Sequence, residues 1–114
     1  MSQIPGGTEV AETLKTMNEQ GKIVYGDLGT NARATYNPQT DRIYVNLDVD
    51  QAHLSGRLAH EGIHKVWADK GLLPSIAQER AGFDAGYALD SRLGLRDAYN
   101  PSTAEIRQRY HWLR

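Results

Sequence analysis

The first regular hydrophobic pattern begins just after the Pro5-Gly6-Gly7 segment. Apolar residues recur there at i, i+4 and i+7, the spacing of one face of an α-helix. These residues are Val10, Leu14 and Met17. Thr8 suits the N-cap position, and Gly21 suits the position after the last turn. We therefore predict an amphipathic first helix that ends before Gly21 and turns its apolar stripe toward the core.

From residue 22 onward the pattern becomes that of short β-strands. Residues 23–25 are β-branched and aromatic, and residues 32–36 form a second strand candidate after a turn-rich link. Residues 37–40, Asn-Pro-Gln-Thr, predict a turn. Residues 41–47 alternate strictly, with Ile43, Val45 and Leu47 on one face. We predict a small antiparallel sheet in which strand 41–47 is half-buried and forms a hairpin with strand 32–36.

Two longer helices are predicted in the second half of the chain. Asp48 or Asp50 suits the cap of a helix from about residue 51 to Lys70, which Gly71 and Pro74 would end. In the next helix, which extends to about Leu93, the first turn contains a capping box. That box is formed by Ser75 and Gln78.

A short C-terminal helix completes the predicted fold. Ser102 and Glu105 form its capping box behind Pro101, and its apolar positions include Ile106, Tyr110 and Leu113. The predicted class is α+β: an N-terminal helix, a small antiparallel sheet and three helices stacked on one sheet face. At this length we expect one compact domain over residues 1–114, with residues 1–7 flexible.

Composition narrows the possible chemistry. The chain has no Cys, which excludes thiolate ligands and a cysteine nucleophile. Its 13 basic and 14 acidic residues are interspersed, so we expect no nucleic-acid partner. No apolar run approaches the roughly 20 residues of a membrane span, so we expect no membrane partner. The N-terminus lacks the basic and apolar regions of a secretory signal. The sequence leaves the location unknown, between the cytoplasm and delivery as part of a larger exported chain.

A motif for metal-dependent hydrolysis lies inside the predicted helix 51–70. Residues 60–64, His-Glu-Gly-Ile-His, match H-E-x-x-H. Four residues turn a helix by about 400°, so His60 and His64 project from one face and can share a zinc ion. Glu61 lies about 100° round the helix, where it can take a proton from activated water and pass it to a leaving amine. The alternative is an exposed polar face in which Glu61 pairs with Lys65.

A catalytic zinc needs a third protein ligand. Trp67 and Lys70 stand where the metzincin motif needs glycine and histidine, which excludes that branch. Glu79 is the best-placed candidate, because it lies in the first turns of the helix that returns antiparallel to the motif helix. Its alternative role is stabilisation of that helix N-terminus. The other candidates are Asp84, Asp90, Glu105 and His111.

These residues resemble the gluzincin metallopeptidases. The element order and size are similar to minigluzincins and to the metallopeptidase modules at the C-termini of bacterial polymorphic toxins. The resemblance covers about residues 8–93, and its diagnostic side chains are His60, Glu61, His64 and Glu79. It implies Zn²⁺, peptide-bond hydrolysis with Glu61 as general base, and a substrate antiparallel to a sheet edge. That edge would lie within residues 41–47 or their hairpin partner. Tyr44 and Asn46 would then face the cleft or form the ordinary polar face of the strand.

The chain departs from the gluzincin pattern four residues after the glutamate ligand. An aspartate often orients a ligand histidine from that position, but Phe83 stands there. Asp84 lies about 140° round the helix from Glu79, which leaves its role open. The donor to the developing oxyanion is also open among several aromatic residues. They are Tyr87, Tyr99, Tyr110 and His111.

We expect a zinc metalloendopeptidase that acts on a peptide or protein substrate. The resemblance to toxin modules adds the possibility of a bacterial effector, whose partner would be an immunity or inhibitor protein. Residues 2–7 or 110–114 are candidates for an inhibitory tail. The first alternative is a non-catalytic metal-binding or protein-binding module that retains the motif helix. A second alternative is a zinc hydrolase that acts on a non-peptide bond.

Overall fold

The computed structural model describes residues 7–26, 34–46, 54–94 and 100–113. Its elements confirm the predicted α+β class and element order. They are α1 (Gly7–Glu19), β1 (Ile23–Gly26), β2 (Ala34–Asn37), β3 (Arg42–Asn46), α2 (Leu54–Asp69), α3 (Ile76–Arg92) and α4 (Thr103–Arg109). Among these residues no helix combines the length and apolar character that a membrane span requires.

The sheet differs from the prediction in the direction of one strand. The β2–β3 hairpin is antiparallel as predicted, with Thr35 opposite Tyr44. However, β1 lies parallel to β3, with Ile23 beside Ile43, so the sheet of the described residues is mixed and has the order β1-β3-β2. The antiparallel prediction was wrong for β1 because alternation specifies which face is buried, whereas strand direction depends on the chain path between partners.

This strand order also changes the expected substrate edge. Since β3 is bonded on both sides, residues 42–46 cannot receive an added strand, and that part of the prediction was wrong. Its hairpin partner β2 has β3 as its only neighbour within the described residues, so β2 provides a sheet edge. The central position of β3 agrees with its burial, because Ile43 and Val45 are almost fully buried.

The helix boundaries follow the predicted signals with small corrections. α1 begins at Gly7, so Thr8 lies inside the helix and not at its cap. Gly21 and Gly71 have positive φ angles of 69° and 76° at the ends of α1 and α2, the conformation that favours glycine there. The α4 capping box is confirmed, although α4 ends at Arg109. The predicted caps Asp48 and Asp50, together with Leu47, Tyr99 and residues 1–6, lie outside the described residues.

The N-cap of α3 is confirmed, but its predicted capping box is not. Oγ of Ser75 accepts a hydrogen bond from the backbone N–H of Gln78 at 3.0 Å. The Gln78 side chain does not reach back to the cap, because it bonds instead to α2 and to the connection before α3. A residue suited to a local cap is therefore used in a long-range contact.

The core places α2 between the other elements. One hydrophobic cluster joins α1, α2 and α3, and a second joins α1 to the sheet. The predicted stripe of α1 contributes to both, through Val10 in the first and Met17 in the second. α2 and α3 approach so closely that a Cβ added at Gly86 would lie 2.9 Å from the carbonyl oxygen of Gly56. This close approach brings the motif on α2 within reach of the first turn of α3.

Candidate metal centre

The three predicted metal ligands meet between α2 and α3. Nε2 of His60 lies 3.1 Å from Oε1 of Glu79, and Nε2 of His64 lies 3.1 Å from Oε2. One donor atom from each residue lies within 4.8 Å of the other two. The side chains are only 9–15% exposed. His60, His64 and Glu79 could therefore hold a metal ion, which we call the metal triad.

The charges of the metal triad favour an ionised carboxylate. Burial alone would raise the pKa of Glu79, but its hydrogen bonds with His60 and His64 outweigh burial and lower that pKa to about 2. Burial alone would lower the pKa of His64, but the hydrogen bond with Glu79 and the charges of Glu61 and Glu79 raise it to about 9. Glu79 is therefore ready to bind a cation at neutral pH, whereas His64 must first release a proton.

Gln78 fixes which nitrogen of His64 faces the metal triad. Nδ1 of His64 lies 2.6 Å from Oε1 of Gln78, and Nε2 of Gln78 donates to the carbonyl oxygen of Leu73 at 3.3 Å. Because the Gln78 amide nitrogen is held by Leu73, its oxygen faces His64 and accepts the Nδ1 hydrogen. The lone pair that could bind a metal is thereby assigned to Nε2 of His64, the arrangement found in metal sites whose histidine ligands have an outer hydrogen-bond partner.

Sequence reasoning missed this role of Gln78. It identified Gln78 only as part of a capping box, although Gln78 precedes the proposed ligand Glu79. Neighbouring residues on a helix point about 100° apart, so a polar residue beside one ligand can reach the next ligand on a facing helix. The position of Gln78 directly before Glu79 was therefore the feature of the sequence from which this contact could have been predicted.

Packing holds His60 in place. Phe83 contacts its ring edge to face, with ring centroids 4.5 Å apart and an interplanar angle of 88°. At the preceding position of α3, a Cβ added at Gly82 would lie only 2.8 Å from Cδ2 of His60. The position where gluzincins often carry an orienting aspartate therefore supplies an aromatic contact here.

Asp84 lies away from the metal triad. Its Oδ1 accepts hydrogen bonds from Nε of Arg80 and Nδ2 of Asn100, each at 3.1 Å. Arg80 also contacts Oδ1 of Asn100 and donates to the carbonyl oxygen of Pro101 at 2.7 Å. Asp84 thus helps to join α3 to the segment before α4, and it does not orient a ligand histidine.

The remaining ligand candidates also lie elsewhere. The carboxylate of Asp90 lies against Gly56, Glu105 forms the capping box of α4, and the exposed His111 packs on Trp112. In the described part of the chain, no other His, Asp or Glu belongs to this group of possible metal ligands. Glu79 is therefore the downstream candidate that the structure brings to the two histidines.

Glu61 lies between the metal triad and the sheet. Its Oε1 accepts a hydrogen bond from the backbone N–H of Tyr36 on β2 at 3.0 Å. Burial raises the pKa of Glu61, although the positive charges of His60 and His64 oppose this rise. A carboxylate with a raised pKa is a better proton acceptor than one exposed to water. Glu61 therefore lies beside the metal triad, where its carboxylate could exchange a proton with a group bound there.

The alternative in which the motif residues form an exposed polar face of α2, with Glu61 paired to Lys65, is wrong. Lys65, the proposed partner of Glu61, pairs with Asp41 at 2.6 Å and with Asp69 at 2.8 Å. The hydroxyl of Tyr36 also donates to Asp41 at 2.8 Å. Asp41 therefore anchors the β2–β3 hairpin on α2, which keeps the backbone of Tyr36 beside Glu61.

A cavity of about 440 Å³ opens beside these groups. Its lining comes from β2 and the turn after it, from Glu61 and two members of the metal triad, His64 and Glu79, and from the connection between α2 and α3. The lining residues include Thr35, Tyr36, Glu61, His64, Leu72, Leu73 and Glu79. Tyr44 and Asn46 do not line it. Its size falls in the range of roughly 300–1,000 Å³ found for small-molecule sites.

Of the candidate oxyanion donors, Tyr110 lies beside the site. Burial raises the pKa of Tyr110, and the negative charges of Glu79 and Glu61 raise it further. Its ring centroid lies 6.4 Å from that of Phe83, which itself contacts His60. Tyr87 is 42% exposed on α3. Tyr110, at the end of α4, is therefore the described candidate that the fold brings toward the metal triad.

Comparison of the chain with protein-family models, curated proteins and solved structures finds no match. The resemblance to gluzincins therefore stays an interpretation of a few side chains. The structure establishes an α+β fold and a His-His-Glu cluster, with a buried Glu79 and partly buried histidines, that could bind a metal ion.

Proposed function

We propose that this protein is a zinc-dependent peptidase of the gluzincin type. His60, His64 and Glu79 would hold Zn²⁺, and Glu61 would act as general base. The observation that carries the proposal is the convergence of three donor atoms within 4.8 Å, with Glu61 lining the same cavity as His64 and Glu79. Two neighbouring turns of α2 and the first turn of α3 supply these groups.

The donor set fits zinc. Two imidazoles and one carboxylate are the ligands of a common class of catalytic zinc sites, which keep a fourth position open. Gln78 supports this fit because it directs Nε2 of His64 toward the site. Zn²⁺ bound there would polarise a carbonyl and lower the pKa of a water molecule to about 7.

Glu61 would carry the proton between water and the leaving group. Its carboxylate would accept a proton as the water oxygen bonds to the peptide carbonyl carbon. It would then give that proton to the amine nitrogen as the carbon–nitrogen bond breaks. Tyr110 is our candidate to donate a hydrogen bond to the developing oxyanion, because burial and the carboxylates of the site keep its hydroxyl protonated.

A second candidate function is supported by the bond between Glu61 and Tyr36. In this alternative the protein binds a metal or a partner without catalysis, and Glu61 serves to fasten β2 to α2. The two functions make different demands on Glu61, since a fastening role needs an acceptor oxygen and a catalytic role needs a titrating carboxylate.

The deciding experiment combines metal analysis with an assay on an unstructured protein substrate. We expect one zinc per purified chain, hydrolysis of the substrate, loss of hydrolysis on chelation, and recovery when zinc is returned. A zinc-loaded, folded protein that leaves unstructured substrates intact would favour the non-catalytic alternative. A chain that retains no zinc and no other divalent metal would contradict the peptidase function and leave only the binding of a partner.

A further inference from the structure

The turn between β2 and β3 ends on an aspartate with an unusual backbone conformation. Asp41 has a φ angle of 55°, which lies in the left-handed region that favours glycine and that Asn and Asp tolerate. Its backbone N–H donates to the carbonyl oxygen of Asn37 at 2.8 Å and closes the turn. Glycine would satisfy this backbone equally well. The turn alone therefore does not account for the side chain of Asp41.

The carboxylate of Asp41 bonds to three side chains from different parts of the fold. Its Oδ1 accepts from the hydroxyl of Tyr36 on β2 at 2.8 Å and lies 2.6 Å from Nζ of Lys65 on α2. Its Oδ2 accepts from Nζ of Lys22, just before β1, at 2.8 Å. Burial alone would raise the pKa of Asp41, but these three hydrogen bonds lower that pKa well below its usual range. The ionised carboxylate therefore ties the β2–β3 hairpin to α2 and to the start of β1.

Tyr36 links this carboxylate to Glu61. Its hydroxyl bonds to Asp41, while its backbone N–H donates to Oε1 of Glu61 at 3.0 Å. Glu61 and Lys65 are four residues apart, so both project from one side of α2 about one turn apart. The bonds from Glu61 to Tyr36, from Tyr36 to Asp41 and from Asp41 to Lys65 therefore form a loop of contacts that the α2 backbone closes. In such a network each member depends on the positions of the others.

We propose, on the basis of the peptidase function above, that Asp41 is a positioning residue for the general base Glu61. Asp41 does not line the cavity. It acts through Tyr36, whose N–H it holds at the Glu61 carboxylate, so that in the free protein this carboxylate stays beside the metal triad. A proton-transfer group must lie within hydrogen-bond reach of the reacting atoms. A misplacement of about 1 Å can lower a rate by about 10²-fold, so the hold matters for catalysis.

Hydrogen exchange of the Tyr36 amide tests the hold directly. Asp41→Gly removes the side chain, and glycine is at ease at the positive φ of this position. We expect the Tyr36 amide to exchange about tenfold faster in this variant, with little change in the amides of the central strand β3. Zinc affinity should stay the same, because contacts with α3 hold the histidines of the metal triad. Unchanged exchange at Tyr36, or equal acceleration throughout β3, would overturn the proposal.

Two further variants assign the effect to the Asp41 carboxylate. Asp69→Ala is the matched control, because Asp69 also pairs with Lys65, at 2.8 Å, but is not bonded to the hairpin in that contact. Exchange at Tyr36 should be unchanged in Asp69→Ala, and equal acceleration in both variants would contradict the proposal. Asp41→Asn tolerates the left-handed backbone and keeps one acceptor oxygen, so its effect should be smaller than that of Asp41→Gly. It also provides the test if Asp41→Gly does not fold.

A kinetic double-mutant cycle shows whether Asp41 acts through Glu61. In the unmodified chain, Asp41→Gly should lower kcat/KM about tenfold. In the Glu61→Gln chain the same change should have much less effect, because the group that Asp41 positions no longer transfers a proton. Equal fold losses in the two chains would indicate a general structural role and overturn the proposal. The exchange experiment needs no turnover. A chain that hydrolyses no peptide would therefore contradict the peptidase function, while exchange at Tyr36 would still decide whether Asp41 holds Tyr36 at Glu61.

Discussion

The backbone N–H of Tyr36 donates a 3.0 Å hydrogen bond to Oε1 of Glu61. This bond joins the edge strand β2 to α2 at the residue that we propose as the general base. A peptide added to β2 would use the same N–H, so substrate and Glu61 would compete for it. Binding of the substrate would thereby release Oε1 of Glu61 for proton transfer.

Glu61→Gln separates catalysis from structure. The amide oxygen of glutamine can still accept from Tyr36, so we expect a folded, zinc-loaded protein. Loss of the proton-transfer group should lower kcat by about 10²- to 10⁴-fold or more. His60→Ala is the contrasting variant, because it should lose zinc and activity together. Measured zinc content and kcat distinguish them, and near-normal turnover of Glu61→Gln would refute the assignment of the base.

Glu79→Ala tests the third ligand. Removal of this carboxylate should lower zinc affinity by orders of magnitude, since two imidazoles remain. Asp84→Ala is the matched control on the same helix, because Asp84 bonds to Arg80 and Asn100 and not to the metal triad. Competition with a chromophoric chelator measures both affinities. A stronger effect of Asp84→Ala would show that the wrong carboxylate has been assigned.

Gln78→Leu tests the outer hydrogen bond to His64. The cap of α3 uses the backbone N–H of Gln78, so the helix start should survive the change. Loss of the outer partner should reduce zinc affinity by about 10- to 100-fold. Nitrogen NMR of the zinc-loaded parent protein should show the hydrogen on Nδ1 of His64. If zinc affinity is unchanged in Gln78→Leu and the parent protein carries the hydrogen on Nε2 of His64, Gln78 does not orient His64.

The pH dependence follows from the pKa values of His64 and Glu79. Because the pKa of His64 is about 9, a proton competes with zinc, and affinity should rise by up to about tenfold per pH unit between pH 7 and 9. Glu79, with a pKa of about 2, stays ionised throughout this range. Isothermal titration in two buffers of different ionisation enthalpy measures the proton released. Affinity that is flat over this range would mean that His64 binds no metal.

After zinc is removed with a chelator, the free energy of unfolding should fall as pH rises from 6 to 9, whereas zinc affinity rises over this range. The raised pKa of His64 contributes stability that is fully present below about pH 6.5 and is lost as pH rises through about 9. The lowered pKa of Glu79 contributes stability above about pH 4.5 that is lost as pH falls toward 2. Thermal unfolding from pH 6 to pH 9 checks the first window. The matched control His111→Gln, at an exposed histidine, should leave this profile unchanged.

Tyr110→Phe tests the oxyanion donor. Loss of one such hydrogen bond should lower kcat by about 10²- to 10³-fold with little change in zinc content. Tyr87→Phe is the control, because Tyr87 is 42% exposed on the neighbouring helix. Steady-state kinetics on one peptide substrate give kcat for Tyr110→Phe and for Tyr87→Phe. If Tyr110→Phe retains full kcat, the donor is a different group.

The sequence was sufficient to select the three residues of the metal triad. The spacing of His60 and His64 specifies one face of a helix, because helix geometry depends only on local dihedral angles. Glu79 could be chosen because Gly71 and Ser75 mark the end of one helix and the start of the next, and a short connection makes neighbouring helices antiparallel. The α+β class followed from the same local signals.

Tertiary contacts assigned the groups that surround the metal triad. Gln78 and Asp84 both carry local helix signals, yet one reaches His64 and the other binds Arg80 and Asn100. Because β1 pairs with the far side of β3, β2 is a sheet edge beside Glu61 within the described part of the chain. Periodicity along the chain specifies which side of an element is buried, but a polar side chain takes its partner from whatever element packs against that side. The partners of Glu61, His64 and Asp84 therefore became known only when α2, α3 and the sheet were packed together.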